Sequence, residues 1–199
     1  MLGNFTITRR FIMTVKEVLK TTAMLLGRED VSGYLDESNK DVGEDTLSSV
    51  NVLVGLVNLV ISELSNSYIP LVKTETVSVS GGKVYFSTLS ETALKIQKVF
   101  VGADREIDFS YHPEYITVDG QSEVMVQYEY LPSNRGLEDD VGYTERQVAR
   151  RVLAYGTAAE FCITEGSFDK AVMWHERYVE ELKSICLPTN SKIKTRSWV

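Results

Sequence analysis

The sequence predicts an α+β protein: an antiparallel helical bundle with an inserted small antiparallel β subdomain and an extended C-terminal tail. Apolar residues recur at helical spacing towards both ends of the chain, and in the middle their period shortens to that of a strand. The predicted division is an N-terminal arm (1–12), the first half of the bundle (13–70), a β-rich insert (71–131), the second half (132–186) and a docking tail (187–199).

The first predicted helix has a clear start and a clear end. Thr14 followed three residues later by Glu17 is a capping box, and Gly27 is a typical C-terminal stop. The stretch SGYLDESNKDVGED that follows is rich in turn formers and is predicted to be a linker. The second helix is expected to run to Tyr68, because Pro70 cannot continue it.

The run LSSVNVLVGLVNLVISEL, residues 47–64, approaches the length of a membrane span. Asn51 and Asn58 interrupt it, its flanks are acidic, and no basic cluster sets an orientation. We therefore expect a buried core helix and no membrane partner.

Residues 71–131 show strand alternation. TETVSVS leads through Gly81-Gly82, a typical hairpin turn, into KVYFS. The segments ALKIQKVFV, EIDFSY and YITV continue the pattern, Asp119-Gly120 predicts another tight hairpin, and VMVQYEYL alternates cleanly. These segments predict the inserted β subdomain.

The last part of the chain predicts a helical hairpin after an exit loop, Pro132 to Asp140, whose acidic end is expected just ahead of the next helix. Gly166 is expected to end the third helix and Ser167 to cap the fourth. The third helix has a packing stripe of Val148, Val152, Tyr155, Ala159 and Cys162. The fourth is predicted to pack through one face made of Phe168, Ala171, Val172, His175, Val179, Leu182 and Cys186.

The composition of the chain argues against some classes of function. The formal net charge of −7 over 199 residues argues against a protein that coats duplex DNA, although it permits one that surrounds DNA without gripping it. The opening MLGNFTITRRF lacks the apolar region of a signal peptide. Cys162 and Cys186 predict a reducing compartment and small buried side chains.

No nucleotide-binding, metalloprotease or nucleophile-elbow motif occurs in the sequence. His112 has acidic neighbours that could ligate a metal, but strand alternation around Pro113 favours solvated hairpin residues. His175 could pair with Cys162 as base and nucleophile, yet nothing supplies an orienting carboxylate, and a core or interface histidine is the simpler interpretation. We expect no enzyme activity, cofactor or metal.

The C-terminal segment is basic in an acidic protein. Residues 187–199 carry three cations, no carboxylate side chain and an aromatic end: Lys192, Lys194, Arg196, Trp198 and Val199. One interpretation is an ordinary frayed terminus. The other is a docking peg for an acidic, grooved partner, because Arg and Trp are enriched at binding hot spots.

Three features of the sequence resemble those of one protein family. The first is a short helix, an acidic linker and a long helix, in the stretches TVKEVLKTTAMLLG and TLSSVNVLVGLVNLVISEL. The second is VQYEYLP followed by a loop and the helical hairpin that contains YGTAAEFC and AVMWHERY. The third is the basic ending KTRSWV. In order and pattern the chain is similar to the head–tail connector (adaptor) proteins of tailed bacteriophages.

The resemblance implies a non-enzymatic virion protein, present in the host cytoplasm during assembly. It implies a homo-oligomeric ring, twelve-fold, between the portal and a tail or second-ring protein, with DNA passing through the lumen without specific binding. It implies that Lys192, Lys194, Arg196, Trp198 and Val199 dock on the portal. Trp174, His175 and Tyr178 are then possible subunit-interface residues. The alternative is a small peptide-binding module that uses the β insert for strand addition.

Overall fold

The computed structural model describes residues 12–36, 43–102 and 105–186. The helices are α1 (Val15–Leu26), α2 (Glu29–Leu35), α3 (Glu44–Ser67), α4 (Arg150–Thr164) and α5 (Phe168–Cys186). The strands are β1 (Ile12–Thr14), β2 (Leu71–Ser78), β3 (Lys83–Tyr85), β4 (Thr92–Val101), β5 (Arg105–Ile107), β6 (Ser110–Tyr111), β7 (Tyr115–Thr117), β8 (Glu123–Leu131) and β9 (Asp140–Thr144). Mixed α+β architecture is confirmed, and all strand pairs in the described residues are antiparallel.

The two largest hydrophobic clusters in the described residues lie in different parts of the protein. The first draws its buried members from residues 13–71 and 141–182, so both ends of the described chain build it. The second takes all its buried members from residues 77–128, within the predicted insert. Tyr130 packs against both clusters and lies at their junction.

The predicted start and end of α1 are confirmed. Thr14 accepts a hydrogen bond from the Glu17 backbone, the Glu17 carboxylate accepts one from the Thr14 backbone, and Gly27 closes the helix at φ 69°. The linker prediction for residues 32–45 was wrong at both ends, because residues 32–35 belong to α2 and Glu44 and Asp45 belong to α3, while residues 37–42 lie outside the described residues. Val31 and Leu35, one helical turn apart, are both buried, and this packing folds Glu29–Leu35 into α2.

Helix α3 ends as predicted, with Tyr68 at its C-cap. By length and composition it is apolar enough to cross a bilayer, a test that the core helix of a soluble protein also passes. Here its buried apolar side chains belong to the first cluster, among them Leu53, Val57, Val60 and Leu64.

The insert contains two sheets rather than one. The larger has strand order β2-β8-β4-β5, and the smaller has order β3-β7-β6. Gly81 and Gly82 form the predicted turn at φ 60° and 74°, and Ser80 and Lys83 exchange both backbone hydrogen bonds. However, the turn leads from one sheet into the other. Asp119-Gly120 likewise joins β7 to β8, which are not paired, so the predicted hairpin there was wrong.

The exit loop differs from its prediction. Its acidic end begins β9 instead of preceding a helix, and α4 starts only at Arg150. β9 pairs with β1, and Val141 and Tyr143 from it are buried in the first cluster. This two-stranded sheet ties the start of the described chain to the segment that leads into α4. Residues 1–11 of the predicted arm and the predicted tail lie outside the described residues.

Candidate functional site

The α4–α5 hairpin is held by small residues and one aromatic stack. Gly166 turns the chain at φ 70°, and the Ser167 backbone N–H donates to the Cys162 carbonyl at 2.8 Å. The rings of Tyr155 and Trp174 stack with centroids 5.7 Å apart. The cluster around Trp174 is otherwise made of small buried residues: Ala158, Ala159, Cys162 and Ala171. Small side chains allow the two helices to approach closely.

The predicted packing face of α5 was wrong. The buried residues are Ala171, Trp174, Tyr178 and Leu182, which lie three or four positions apart. Only Ala171 and Leu182 belong to both the predicted and the observed face. The other predicted residues do not pack there: Phe168, Val172, His175 and Cys186 are exposed and Val179 is half-buried.

Because the buried face of α5 differs from the predicted one, the three predicted subunit-interface residues differ in their exposure. His175 is exposed, whereas Trp174 and Tyr178 are 7% and 2% exposed and belong to the protomer's own packing. The Tyr178 hydroxyl donates to the Glu63 carboxylate at 3.3 Å, and burial together with that carboxylate raises the pKa of Tyr178. A neighbour could contact His175 directly, but it would find little of the two aromatic rings.

The exposed side of α5 forms a groove with α4. We call it the α4–α5 groove; it encloses about 550 Å³ and is lined by Ala159, Glu160, Ile163, Phe168, Ala171, Val172, His175 and Glu176. Its walls are apolar and accessible: Phe168 is 66% exposed, Val172 58% and Ile163 49%. Large apolar side chains concentrated in one concave place mark an interaction site more often than scattered ones do.

The groove continues in two directions. Towards α3 it meets a smaller depression with Leu59, Glu63 and Gly156, which shares Ala159, Glu160 and His175 with it. Along α5 it passes into a shallow surface lined by His175, Glu176, Val179, Glu180 and Lys183. The exposed side of α5 therefore offers one continuous surface from its first residue almost to its last.

The edges of this surface are acidic. Glu160, Glu176 and Glu180 border it and form no ion pair within the part of the chain that the structure describes. An apolar floor with free carboxylates along it suits a ligand that carries cations beside an apolar side chain. The arrangement is therefore a candidate docking site.

The histidines and cysteines do not assemble a reactive centre in the described residues. His112 stacks on Tyr115 with ring centroids 4.6 Å apart, and no group of three metal-ligating side chains occurs in the described ranges. Cys162 is buried among small residues, which raises the pKa of its thiol, while His175 lies on the exposed side of α5.

A polar cluster in the insert was not predicted. Glu75 accepts hydrogen bonds from the Ser90 backbone at 2.8 Å, the Ser90 hydroxyl at 2.5 Å and the Tyr128 hydroxyl at 2.8 Å. Burial alone would raise the pKa of Glu75, but these hydrogen bonds outweigh it and hold the pKa below its ordinary value. Strand alternation places Glu75 on the inward side of β2 and is the only sequence signal that could have found it.

The predicted docking residues Lys192, Lys194, Arg196, Trp198 and Val199 lie outside the described residues. No protein-family model matches the chain, and no curated protein matches it.

Proposed function

We propose that this chain is a structural virion protein that forms a ring between the portal and the tail. The ring provides a DNA passage channel and a docking platform, and the C-terminal tail of each subunit binds the portal. The observation that carries the proposal is the division into two cores. Residues from both ends of the described chain build the helical core, and residues 77–128 build a separate β core beside it. This is the arrangement that the resemblance to head–tail connectors leads us to expect.

Two further features support the proposal. The net charge of −7 disfavours persistent phosphate contacts, which suits a wall past which DNA must move. The helices also expose apolar side chains away from the groove, including Val52 at 42% and Met24 at 70%. Neighbouring subunits of a ring could cover such residues.

The first test is a copy count in purified virus particles from the culture that produces this chain. Quantitative mass spectrometry against the major capsid protein should give about a dozen copies per particle, the number expected if the twelve-fold ring that the resemblance implies occupies one vertex. Hundreds of copies would instead indicate a tail-tube or capsid-surface protein, and absence from the particles would refute the proposal.

The second test concerns the tail. Replacing Lys192, Lys194 and Arg196 by Gln in the full chain should weaken binding to the portal protein from the same particles, because it removes the cations of the docking segment. Lys95→Gln, an exposed change in β4, is the matched control and should leave binding unchanged. Equal binding by all variants would show that the tail cations do not dock.

The alternative, a peptide-binding module, is favoured by one observation. β2 is eight residues long and lies at the edge of its sheet, with β8 as its one partner within the described ranges. An exposed edge of this length can accept an added strand. Peptides selected by display against the full chain should then lose binding when the exposed Thr74 and Thr76 are replaced by Lys. They should bind a chain altered at the tail cations normally.

A further inference from the structure

The exposed side of α5 and the sequence that follows it match each other in length. From Phe168 to Cys186 the helix axis extends about 27 Å, at about 1.5 Å per residue. After α5, Pro188 cannot continue a helix, and Thr189, Asn190 and Ser191 are residues that favour turns. Residues 191–199 in an extended conformation would span roughly 30 Å, enough to return along the whole of α5.

The two also match in chemistry. In an extended chain alternate residues share one side, about 6.7 Å apart, and this places Lys192, Lys194, Arg196 and Trp198 together. On α5, residues four positions apart lie about 6 Å from one another along the axis. Glu180, Glu176, Val172 and Phe168 follow this step and line the surface in that order. If the tail runs antiparallel to α5, the four tail residues and the four α5 residues both change from charged to apolar in the same direction. The charged tail residues are cations, and the charged α5 residues that they meet are carboxylates.

We propose that residues 187–199 fold back along α5 of the same chain and occupy the α4–α5 groove. Trp198 lies between Phe168 and Val172, Arg196 lies near Glu176 and Lys194 near Glu180. Phe168 and Val172 are the most exposed apolar side chains of the groove, so they gain most from the cover of an indole ring. Lys183 lies at the far end of the surface, past the last of these pairs, and the tail has no acidic residue to pair with it.

This inference does not depend on the connector proposal. If both hold, the groove keeps the tail of a free subunit covered, and binding to the portal requires the tail to leave it. Each can fail alone, because the test below uses the isolated full-length chain without any partner.

The test uses Trp198 as its own probe. The chain has two tryptophans, and Trp174 is buried. Subtracting the fluorescence of Trp198→Phe from that of the unmodified chain isolates the emission of Trp198. We expect this emission to be blue-shifted relative to free indole in water and weakly quenched by acrylamide, which is uncharged. Molar salt should shift it to the red, because it screens the ion pairs.

Val172→Lys is the decisive variant. Val172 is 58% exposed, so the change leaves packing intact while it removes apolar surface and adds a cation that repels the tail. Measured against Val172→Lys/Trp198→Phe, the Trp198 emission should shift to the red and its quenching by acrylamide should increase. Met24→Lys, at a 70% exposed residue of α1 that does not line the groove, is the matched control and should change neither.

Three results would overturn the proposal. One is a Trp198 emission in the unmodified chain that already matches a fully hydrated indole. Another is an equal response of Trp198 to Val172→Lys and Met24→Lys. The third is shielding that appears only as protein concentration rises, since that would place the tail in the groove of a second copy.

Discussion

The side-chain amide of Asn58 pairs with both backbone groups of Arg135. The Arg135 N–H donates to Asn58 Oδ1 at 2.7 Å, and Asn58 Nδ2 donates to the Arg135 carbonyl at 2.9 Å. Asn58 lies in the middle of α3, and Arg135 lies in the loop between β8 and β9. The amide therefore fixes the path by which the chain returns from the insert to the helices.

Asn58→Ala should lower the free energy of unfolding by about 2–3 kcal/mol, because it leaves two half-buried backbone groups of Arg135 without partners. Asn51→Ala is the matched control on α3, at an exposed position, and should change it by less than about 0.5 kcal/mol. Urea unfolding of the two variants decides the matter. Equal stabilities would mean that water replaces the amide at no cost.

At Gly156, α4 packs closely against both α3 and α5. A Cβ placed there would lie 2.9 Å from Val60 Cγ1 and 3.2 Å from Tyr178 Cε2. Gly156→Ala should therefore destabilise the protein by about 1–3 kcal/mol, since three packed elements must move apart. Thermal unfolding monitored by circular dichroism measures this loss.

Gly55→Ala is the control for that substitution. Gly55 also lies within a helix, but a Cβ there would have no atom within 4 Å. The change should stabilise the protein by about 0.5–1 kcal/mol through helix propensity alone. If both substitutions changed the free energy of unfolding in the same direction, the space at Gly156 would not be limiting.

Glu75 should make stability depend on pH. Its pKa in the folded protein is below the ordinary 4.5, so its stabilisation is complete above that value and is lost as pH falls towards the folded pKa. At pH 7 Glu75→Gln should cost about 1–2 kcal/mol, because hydrogen bonds to a charged acceptor are replaced by neutral ones. The difference between variant and unmodified chain should shrink in acid.

Urea midpoints measured at pH 7 and about pH 3.5 test this expectation. Glu123→Gln, at an exposed position in β8, is the control and should show no comparable dependence. A destabilisation by Glu75→Gln that stays constant with pH would show that the charge of Glu75 does not contribute.

The two cysteines should differ in reactivity. Cys186 is exposed and should react quickly with a thiol reagent. Cys162 is buried and its thiol pKa is raised by burial, so it should react only when α4 and α5 separate. In Cys186→Ser the fast phase should disappear. If two fast thiols were counted in the native protein, the described packing of α4 and α5 would be incorrect.

Local interactions explain what the sequence could predict. The capping box of Thr14 and Glu17 lies within four residues, and Gly27, Tyr68 and Gly166 end their helices through local geometry. The alternation of β8 gives a buried face because each strand residue points opposite to the next. Such signals need no knowledge of the partner.

Features that depend on contacts between distant parts of the chain could not be predicted in the same way. β9 is short, contains Gly142 at φ 87° and pairs with β1 from the other end of the described chain. On α5 the apolar stripe through Phe168 and Val172 looks as suitable for burial as the true face. The true face is selected by α4, whose glycine and alanines admit the rings of Trp174 and Tyr178. The α4–α5 groove results from this choice of buried face, because Phe168 and Val172 are left exposed.

The pairing of Leu71 with Tyr130 has a consequence for how such a protein can change. These residues face each other across β2 and β8, so the points where the chain leaves and re-enters the helical part are adjacent. In an antiparallel pair the two backbones lie only about 5 Å apart. Everything from Val72 to Glu129 can therefore be lengthened, shortened or exchanged for a tight turn without rerouting a single helix. The helical part and the insert are free to evolve at different rates, one under the demands of packing and the other under those of whatever it meets outside.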